Sequence, residues 1–269
     1  MRIGLALIAV GAVAAGAVAL ARSPGREDGE AGVTTRRYEL RSRFVDRTLP
    51  QVAAVPPGGG EGRPLLVFLH GRGDDGEESN ANDAFLRALA AQGKRAPVVV
   101  FPNGGEASYW HRRRGGDWAR YMLDEVIPDA VRRFGADRDR IAIGGISMGG
   151  YGAYEIARLR PRRFCAVGGH SAATWLAAGD SAPGAFDDAA DFERHDVVGL
   201  AQERGRRPWR RAALWLDGGD RDPFLTSDRA FAGALGIRMR VSPGGHDGDY
   251  WHRHYRDYLR FYARALERC

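Results

Sequence analysis

The chain has 269 residues, of which 44% are hydrophobic and 28% are charged, a composition typical of a globular protein and not of a disordered or collagen-like one. This length favours one large α/β domain over two full domains. Two cysteines exclude a disulfide-dense scaffold, and the absence of a C-x-x-C pair excludes a zinc ribbon. No second long apolar run follows residue 21, which excludes a polytopic membrane protein.

The charge balance is basic, with 40 basic against 34 acidic side chains and a single lysine, Lys94. Such an arginine bias indicates a GC-rich coding sequence more than arginine-specific chemistry. The basic clusters at residues 112–114 and 206–207 favour a solvated surface, with peripheral contact to an anionic cell envelope as the alternative. Motifs for nucleic-acid binding are absent, so no nucleic-acid partner is expected.

The first residues resemble an export signal. Met1 and Arg2 precede an uncharged stretch at residues 3–21 that ends in small-x-small patterns. The pattern predicts a signal peptide over residues 1–21, with an uncleaved membrane anchor as the alternative, and either places the domain outside the cytoplasmic membrane. Residues 22–35 are predicted to be a polar linker, and residues 36–269 the globular domain.

Two leading strands are predicted at residues 38–45 and 47–55. After them, short apolar runs that indicate buried strands alternate with segments of helical periodicity. The predicted strands cover residues 64–69, 97–101, 141–143, 164–167, 213–216 and 238–241. The predicted helices cover residues 84–91, 118–134 with a kink at Pro128, 151–159, a segment ending at 231, and 250–266.

This alternation predicts an α/β protein with a mostly parallel central sheet and helices on both faces. Residues 172–211 interrupt it with acidic residues, glycines and prolines. We therefore predict a short insertion over the edge of the sheet where ligands bind.

The strongest chemical signal is G-x-S-x-G at residues 145–149, directly after a predicted strand and before a predicted helix. In that context the turn is a nucleophile elbow, which exposes Ser147 Oγ at the edge of the sheet. The backbone N–H of Met148, at the start of the helix, would face an oxyanion. A second N–H is expected from the loop after the first parallel strand, near Arg72.

A serine hydroxyl requires a general base. Chain order favours His246, which follows the last predicted strand, because this architecture places the histidine after the acid. His111, beside Trp110, is the other candidate base. His70 and His170 end strands on the active edge and are expected to line the pocket. Among the remaining histidines, His195 lies in the insertion, and two are predicted on the surface of the last helix: His252 and His254.

The histidine in turn needs an acidic partner, which completes a catalytic triad of serine, histidine and acid. This acid should lie after the strand that ends near residue 216. Asp222, in a G-x-x-D-P pattern, is the preferred candidate, followed by Asp220; Asp217 ends the strand itself. The acid would hold the imidazole in the required tautomer. The spacing of the three aspartates differs from that of a calcium loop, so no metal site is expected.

The cysteines are predicted to be free thiols. Cys165 lies in an apolar run, which indicates a buried core residue, and Cys269 ends the chain on a segment expected to fray.

With strand-H-G, G-x-S-x-G, G-x-x-D-P and G-G-H in this order, the chain resembles the α/β-hydrolase superfamily. Three short stretches of the sequence resemble the branch of this superfamily that contains esterase D and the feruloyl esterases and that is related to secreted mycolyltransferases and S-formylglutathione hydrolases. They are Asp-Glu-Val-Ile-Pro at residues 124–128, Arg-Ile-Ala-Ile-Gly-Gly at 140–145 and Ser-Met-Gly-Gly-Tyr-Gly-Ala at 147–153. The resemblance covers roughly residues 36–267, and it implies ester hydrolysis without a metal or organic cofactor.

Carried over by position, the resemblance assigns Ser147 as nucleophile, Asp222 as acid and His246 as base, with Met148 and Arg72 at the oxyanion positions. Arg72 departs from the family pattern, in which an apolar or small residue often stands there.

The sequence thus predicts a secreted serine carboxylesterase that acts on small-molecule, lipid or carbohydrate esters. The alternatives are an acyltransferase with the same triad and a non-catalytic envelope-binding protein. Aromatic residues of the insertion, with Trp110, are predicted either to form the substrate pocket or to belong to the core: Trp175, Phe186, Phe192 and Trp209.

Overall fold

The computed structural model describes residues 26–28, 32–73 and 80–269, with the backbone alone for the first of these ranges. The predicted signal or anchor segment lies outside the described residues. The strands are β1 Arg26–Asp28, β2 Thr34–Ser42, β3 Arg47–Val55, β4 Leu65–Leu69, β5 Val98–Pro102, β6 Arg112–Arg113, β7 Gly116–Asp117, β8 Ile141–Ile146, β9 Ala166–His170, β10 Ala213–Gly219 and β11 Arg240–Ser242. Nine of them form one sheet in the order β1-β2-β3-β5-β4-β8-β9-β10-β11. From β5 to β11 in this order neighbouring strands are parallel, and the strands before β5 add antiparallel pairs at one edge.

The helices are α1 Asp83–Ala90, α2 Trp118–Arg120, α3 Ile127–Phe134, α4 Met148–Leu159, α5 Ala189–His195, α6 Val197–Arg204, α7 Leu225–Leu235 and α8 Gly248–Glu267. The predicted α/β architecture is confirmed.

The central strands are buried on both faces. In β4, Leu65, Val67 and Leu69 pack on the face that carries α3, α4 and α7. Leu66 and Phe68 point to the other face and pack against α1 and α8. Alternate residues of a strand point to opposite faces, so a continuous apolar run supplies two separate cores.

Several boundaries differ from the predictions. Arg26–Asp28, inside the predicted linker, pairs with β2 as a short strand. The predicted helix at residues 118–134 is divided by a π-helical stretch at Tyr121–Val126. Pro128 lies in the first turn of the helix that follows, where its missing N–H breaks no helical hydrogen bond.

The insertion forms α5 and α6 with short 3₁₀ turns and packs onto α4. The Tyr151 hydroxyl donates to the His195 carbonyl at 2.7 Å. The hairpin of β6 and β7 holds its other side, because Arg113 pairs with Asp187 at 3.1 Å. The insertion is therefore attached at two places to elements outside it.

The prediction of two free thiols is wrong. Cys165 and Cys269 form a disulfide with their Cα atoms 5.7 Å apart. Helix α8 has 20 residues and spans about 30 Å, which carries the chain end back across the sheet to the segment before β9. The end expected to fray is thus covalently attached to the core.

Removing this disulfide is expected to lower the free energy of unfolding by about 4 kcal/mol, because the bond closes a loop of 104 residues and restricts the unfolded chain. Urea unfolding of the Cys165→Ala/Cys269→Ala protein measures the loss. The wild type should approach the variant when a reductant is added. A wild type whose stability is insensitive to reductant would contradict the pairing.

No helix within the described residues combines the length and the apolar character needed to cross a membrane.

Candidate active site

The turn between β8 and α4 holds Ser147 at its tip. This residue has φ 54° and ψ −118°, a conformation that costs a residue other than glycine about 1–3 kcal/mol and that recurs at active sites. A side chain at position 145 or 149 would collide with the main-chain oxygen of Leu69. Both flanking positions therefore require glycine, which explains the G-x-S-x-G pattern.

Three side chains form a continuous hydrogen-bonded chain at this turn. The Ser147 hydroxyl lies 2.9 Å from His246 Nε2. His246 Nδ1 lies 3.0 Å from Asp222 Oδ2. The Asp222 side chain is fully buried, whereas that of His246 is 21% exposed. The arrangement orients the imidazole between a hydroxyl and a carboxylate, with one side open to solvent.

The main chain explains why Asp222 makes this contact and the other two aspartates do not. Asp220 Oδ1 accepts from the Gly244 N–H at 3.0 Å, and the Asp220 N–H donates to Ser242 at 2.9 Å. Asp220 thus joins the acid loop to the histidine loop without contacting the imidazole. Asp217 points away from the active edge, into the core beneath α8.

The environment of Asp222 favours its charged form. Burial acts to raise the pKa of its carboxyl, but the hydrogen bond and charge of His246 lower it, as does the Phe224 N–H, which donates at 2.9 Å. The resulting pKa lies below the ordinary value. Asp222 is therefore ionised at neutral pH and can stabilise an imidazolium at His246.

The loop after β4 lies against Ser147. A Cβ added to Gly71 would come within 3.4 Å of the Ser147 Cβ, and Arg72 follows it in an exposed position. His70 holds the loop, because its Nδ1 donates to the Gly71 carbonyl at 2.7 Å and its Nε2 accepts from the Gly104 N–H at 2.9 Å. His70 is 1% exposed, so it positions the loop and, contrary to expectation, does not line the pocket.

Met148 begins α4. Its main-chain N–H therefore belongs to the first turn of a helix, where the partial charge is positive. The two predicted oxyanion positions, Met148 and Arg72, flank Ser147 from the helix and from the loop after β4.

Trp110 also differs from the prediction. It is completely buried, and its ring occupies the space where side chains at Gly104 and Gly152 would lie. Its ring meets that of His70 edge-on at 5.0 Å. Trp110 thus packs beneath the loops of the active edge and offers no surface to a substrate.

His170 ends β9 with its side chain on the opposite face of the sheet from the expected pocket. It is fully buried and stacks on Tyr258 at 3.5 Å. Its Nδ1 donates to Asp217 at 2.7 Å, and its Nε2 accepts from the Tyr262 hydroxyl at 2.8 Å. Burial lowers the pKa of His170, although Asp217 opposes the shift, so the neutral ring is part of the core.

Asp217 is the centre of this buried network. Besides His170, it accepts from the Trp215 indole at 2.6 Å and from the hydroxyls of Tyr250 at 3.0 Å and Tyr258 at 2.8 Å. These bonds tie α8 to the strand that leads into the Asp222 loop. A lone aspartate at a strand end carries no sequence signal for such a network.

Asp217→Ala is expected to lower the free energy of unfolding by about 3–5 kcal/mol, because it leaves four buried donors without an acceptor. Chemical denaturation measures the change. Asp139→Ala, at an exposed position, should stay within about 0.5 kcal/mol of the wild type. Equal stabilities of the two variants would contradict this account.

Trp175 lies one ring away from the imidazole. Its ring contacts Phe224 at 5.7 Å, and Phe224 contacts His246 at 5.1 Å. Trp251 packs on His246 edge-on at 5.3 Å. Neither Phe224 nor Trp251 was predicted, because their one signal in the sequence is closeness to Asp222 and His246, two and five residues earlier.

The other aromatic residues of the insertion divide between two environments. Trp209 is buried, and its indole donates to the Tyr154 carbonyl at 2.9 Å, so it belongs to the core. Phe186 is partly exposed and contacts Trp175 at 5.7 Å. Phe192 is buried behind Phe186 at 5.1 Å.

His111 lies in a second polar cluster and not at Ser147. Its Nε2 is 3.0 Å from the Ala185 carbonyl, and its possible ligand atoms lie within 4.8 Å of those of Asp191 and His195. His195 donates to Glu155 at 2.7 Å. Arginines pair with both carboxylates of the cluster: Arg158 with Glu155 and Arg194 with Asp191. The cluster therefore supplies its own countercharge and fastens the insertion to α4.

The strand order, the elbow and the hydrogen-bonded chain define the α/β-hydrolase class. Solved structures share this fold. A ferulic acid esterase superposes with a TM-score of 0.75 and 24% identity over 87% of this chain and 98% of its own. An S-formylglutathione hydrolase from Agrobacterium tumefaciens superposes with a TM-score of 0.72 and 20% identity over 91% and 99% of the two chains.

Residues 41–255 match the model of the family described as "Putative esterase". The chain belongs to this esterase family and is a carboxylic ester hydrolase. It is also 29% identical to an S-formylglutathione hydrolase from Paracoccus denitrificans, over 85% of this chain and 92% of that protein. The predicted family resemblance is confirmed.

Proposed function

We propose that the chain is a secreted serine carboxylesterase that acts through an acyl-enzyme at Ser147. The observation that carries the proposal is the hydrogen-bonded chain from Ser147 through His246 to Asp222, with distances of 2.9 and 3.0 Å. A hydroxyl so placed beside an oriented base can be activated at neutral pH.

In the first half of the reaction, His246 Nε2 removes the hydroxyl proton as Ser147 Oγ attacks the ester carbonyl. The carbonyl oxygen gains negative charge and accepts hydrogen bonds from the N–H groups of Met148 and Arg72. Asp222 holds His246 in place and stabilises its imidazolium. The tetrahedral intermediate collapses when His246 donates its proton to the leaving alcohol, and the acyl group remains on Ser147.

In the second half, a water molecule takes the place of the alcohol. His246 removes a proton from the water as it attacks the acyl carbonyl, and the same N–H groups stabilise the second oxyanion. Return of the proton from His246 to Ser147 Oγ releases the carboxylic acid. An alcohol acceptor in place of water would make the protein an acyltransferase.

The substrate pocket that we propose is aromatic on one side and cationic on the other. Phe224 and the edge of Trp175, which is 7% exposed, extend from His246, and the buried ring of Tyr109 packs behind Trp175 at 5.4 Å. Burial raises the pKa of the Tyr109 hydroxyl, and the neighbouring guanidinium of Arg72 opposes the shift. This combination favours small esters with a planar or apolar part, of the kind suggested by the ferulic acid esterase and S-formylglutathione hydrolase relatives.

Secretion is proposed from two features. The uncharged stretch at residues 3–21 has the composition of an export signal. The Cys165–Cys269 disulfide is characteristic of proteins that fold in an oxidising compartment.

The decisive experiment exposes residues 22–269, which retain β1, to a fluorophosphonate probe and then to p-nitrophenyl esters of increasing chain length. We expect labelling that depends on Ser147, and a chain-length profile that reports the size of the acyl pocket. Competing glycerol or sugar acceptors in the ester assay separate hydrolysis from transfer by their products. A folded protein that neither reacts with the probe nor cleaves any ester would instead support the envelope-binding alternative.

A further inference from the structure

Five arginines line one groove at the end of the sheet remote from Ser147. The groove, here called the α8 groove, has a volume of about 490 Å³ and is formed by α8, the start of β10 and β11. Its arginines are Arg211, Arg240, Arg260, Arg264 and Arg268. The Cys165–Cys269 disulfide forms part of its wall, so the end of α8 is held in place.

The charge of the α8 groove is largely uncompensated. Among the lining residues that the structure describes, Asp257 is the one with an acidic side chain, and it pairs with Arg260 at 3.3 Å. Across the described residues, the structure gives Arg211, Arg264 and Arg268 no side-chain hydrogen bond or ion pair, and all three are exposed. Adjacent guanidinium groups repel one another, so an anion in the groove would relieve a repulsion as well as gain hydrogen bonds.

The basic clusters noticed in the sequence differ in this respect. Arg113 pairs with Asp187 at 3.1 Å, and Arg114 pairs with Asp188 at 2.6 Å. Arg206 donates to the Ala212 carbonyl at 3.3 Å. Arg113, Arg114 and Arg206 therefore brace the insertion and its surroundings, whereas Arg211, Arg264 and Arg268 line one concave surface together.

The arrangement of the charges favours an elongated ligand. Arg260, Arg264 and Arg268 succeed one another every four residues on α8 and are spaced about 6 Å apart along its axis. Arg211, two residues before β10, and Arg240, the first residue of β11, also line the groove. A chain with anionic groups at regular intervals could contact several of these arginines at once, whereas a flat bilayer could not enter a concave site.

Aromatic ligands are disfavoured in the same groove. Two aromatic residues line it, Trp215 and Phe261. The Arg240 guanidinium covers the Trp215 ring at 3.6 Å, and the half-buried ring of Phe261 packs against Trp215 at 5.1 Å. Trp215 is only 9% exposed. Binding of single-stranded nucleic acid depends on several open aromatic faces on which successive bases stack, whereas the α8 groove has one half-buried ring, that of Phe261, beside the covered Trp215.

We propose that the α8 groove binds a linear phosphodiester polymer without aromatic groups. Guanidinium forks match the oxygens of phosphate in bidentate pairs. Because the start of β10 and the end of β8 lie at opposite ends of parallel strands, a polymer held there leaves the Ser147 site open. The groove would therefore attach the protein to an anionic carrier while esters enter from the other side.

The test measures binding of a synthetic glycerol-phosphate oligomer by calorimetry over a series of salt concentrations. Arg211→Gln/Arg264→Gln/Arg268→Gln is expected to weaken binding on the order of tenfold or more, and to reduce the slope of log affinity against log salt by about two. Hydrolysis of p-nitrophenyl esters should not change, which also shows that the variant folds.

The matched control removes the same charge elsewhere. Arg47, Arg162 and Arg229 are exposed, and their triple replacement by glutamine should leave the affinity close to that of the wild type. Equal losses of affinity in the two triple variants would show that net charge alone accounts for the effect, and would overturn the site. Absence of binding of the oligomer to the wild type would overturn it as well. A single-stranded DNA oligomer or polyglutamate could instead bind more tightly than the glycerol-phosphate oligomer and lose affinity in the Arg211→Gln/Arg264→Gln/Arg268→Gln variant. That result would overturn the proposal that the ligand is a phosphodiester polymer without aromatic groups.

Discussion

Ser147→Ala is expected to lower kcat for ester hydrolysis by about a millionfold, the loss seen when a nucleophile and base that act as a unit are broken. The hydroxyl is the group that bonds to the acyl carbon, and His246 has no proton to remove without it. Alanine has the same backbone requirements as serine at φ 54°. The free energy of unfolding should therefore change little.

Steady-state kinetics and probe labelling of the purified variant test this expectation. Ser181→Ala is the matched control, since Ser181 lies in the insertion and its hydroxyl donates to the Ala178 carbonyl at 2.7 Å. The control should retain wild-type kcat and labelling. Activity of Ser147→Ala within tenfold of the wild type would remove Ser147 from the mechanism.

Asp222→Asn is expected to lower kcat by about ten thousandfold. The amide cannot stabilise an imidazolium as a carboxylate does, and its NH₂ group can donate to His246 Nδ1. The ring would then carry its proton on Nε2, which could no longer accept the proton of Ser147. Because asparagine is nearly isosteric, the folded structure should persist.

Asp220→Asn tests the second aspartate that the sequence allows as the acid of the triad. Its carboxylate binds the Gly244 N–H at 3.0 Å, and an amide oxygen can accept the same bond. We expect kcat for this variant to remain within a few-fold of the wild type. A larger loss in Asp220→Asn than in Asp222→Asn would reassign the acid.

Much of the active edge could be predicted because its requirements are local. The glycines at 145 and 149 are required by the close approach of the Leu69 carbonyl, and such a turn leaves a short, recognisable motif. The order of serine, acid and histidine follows from the order of the strands in this fold. Phe224 was missed because a single aromatic residue in a loop has no comparable pattern.

The direction of side chains at strand ends could not be predicted. His70 and His170 both end parallel strands on the same edge, yet His70 holds the loop beside Ser147 while His170 lies under α8. A shift of one residue along a strand moves a side chain to the opposite face. Strand boundaries read from sequence are uncertain by more than that.

The sequence by itself determined the α/β class, the elbow at Ser147 and the family, because strand–helix periodicity and short glycine-rich turns depend on neighbouring residues. Only the tertiary structure decided which aspartate contacts His246, that Trp110 is buried, that Cys165 and Cys269 are paired, and that five arginines line one groove beside α8. Each of these depends on which distant segments meet. Packing brings together residues that are separated by tens or hundreds of positions in the chain, so no local sequence pattern predicts these contacts.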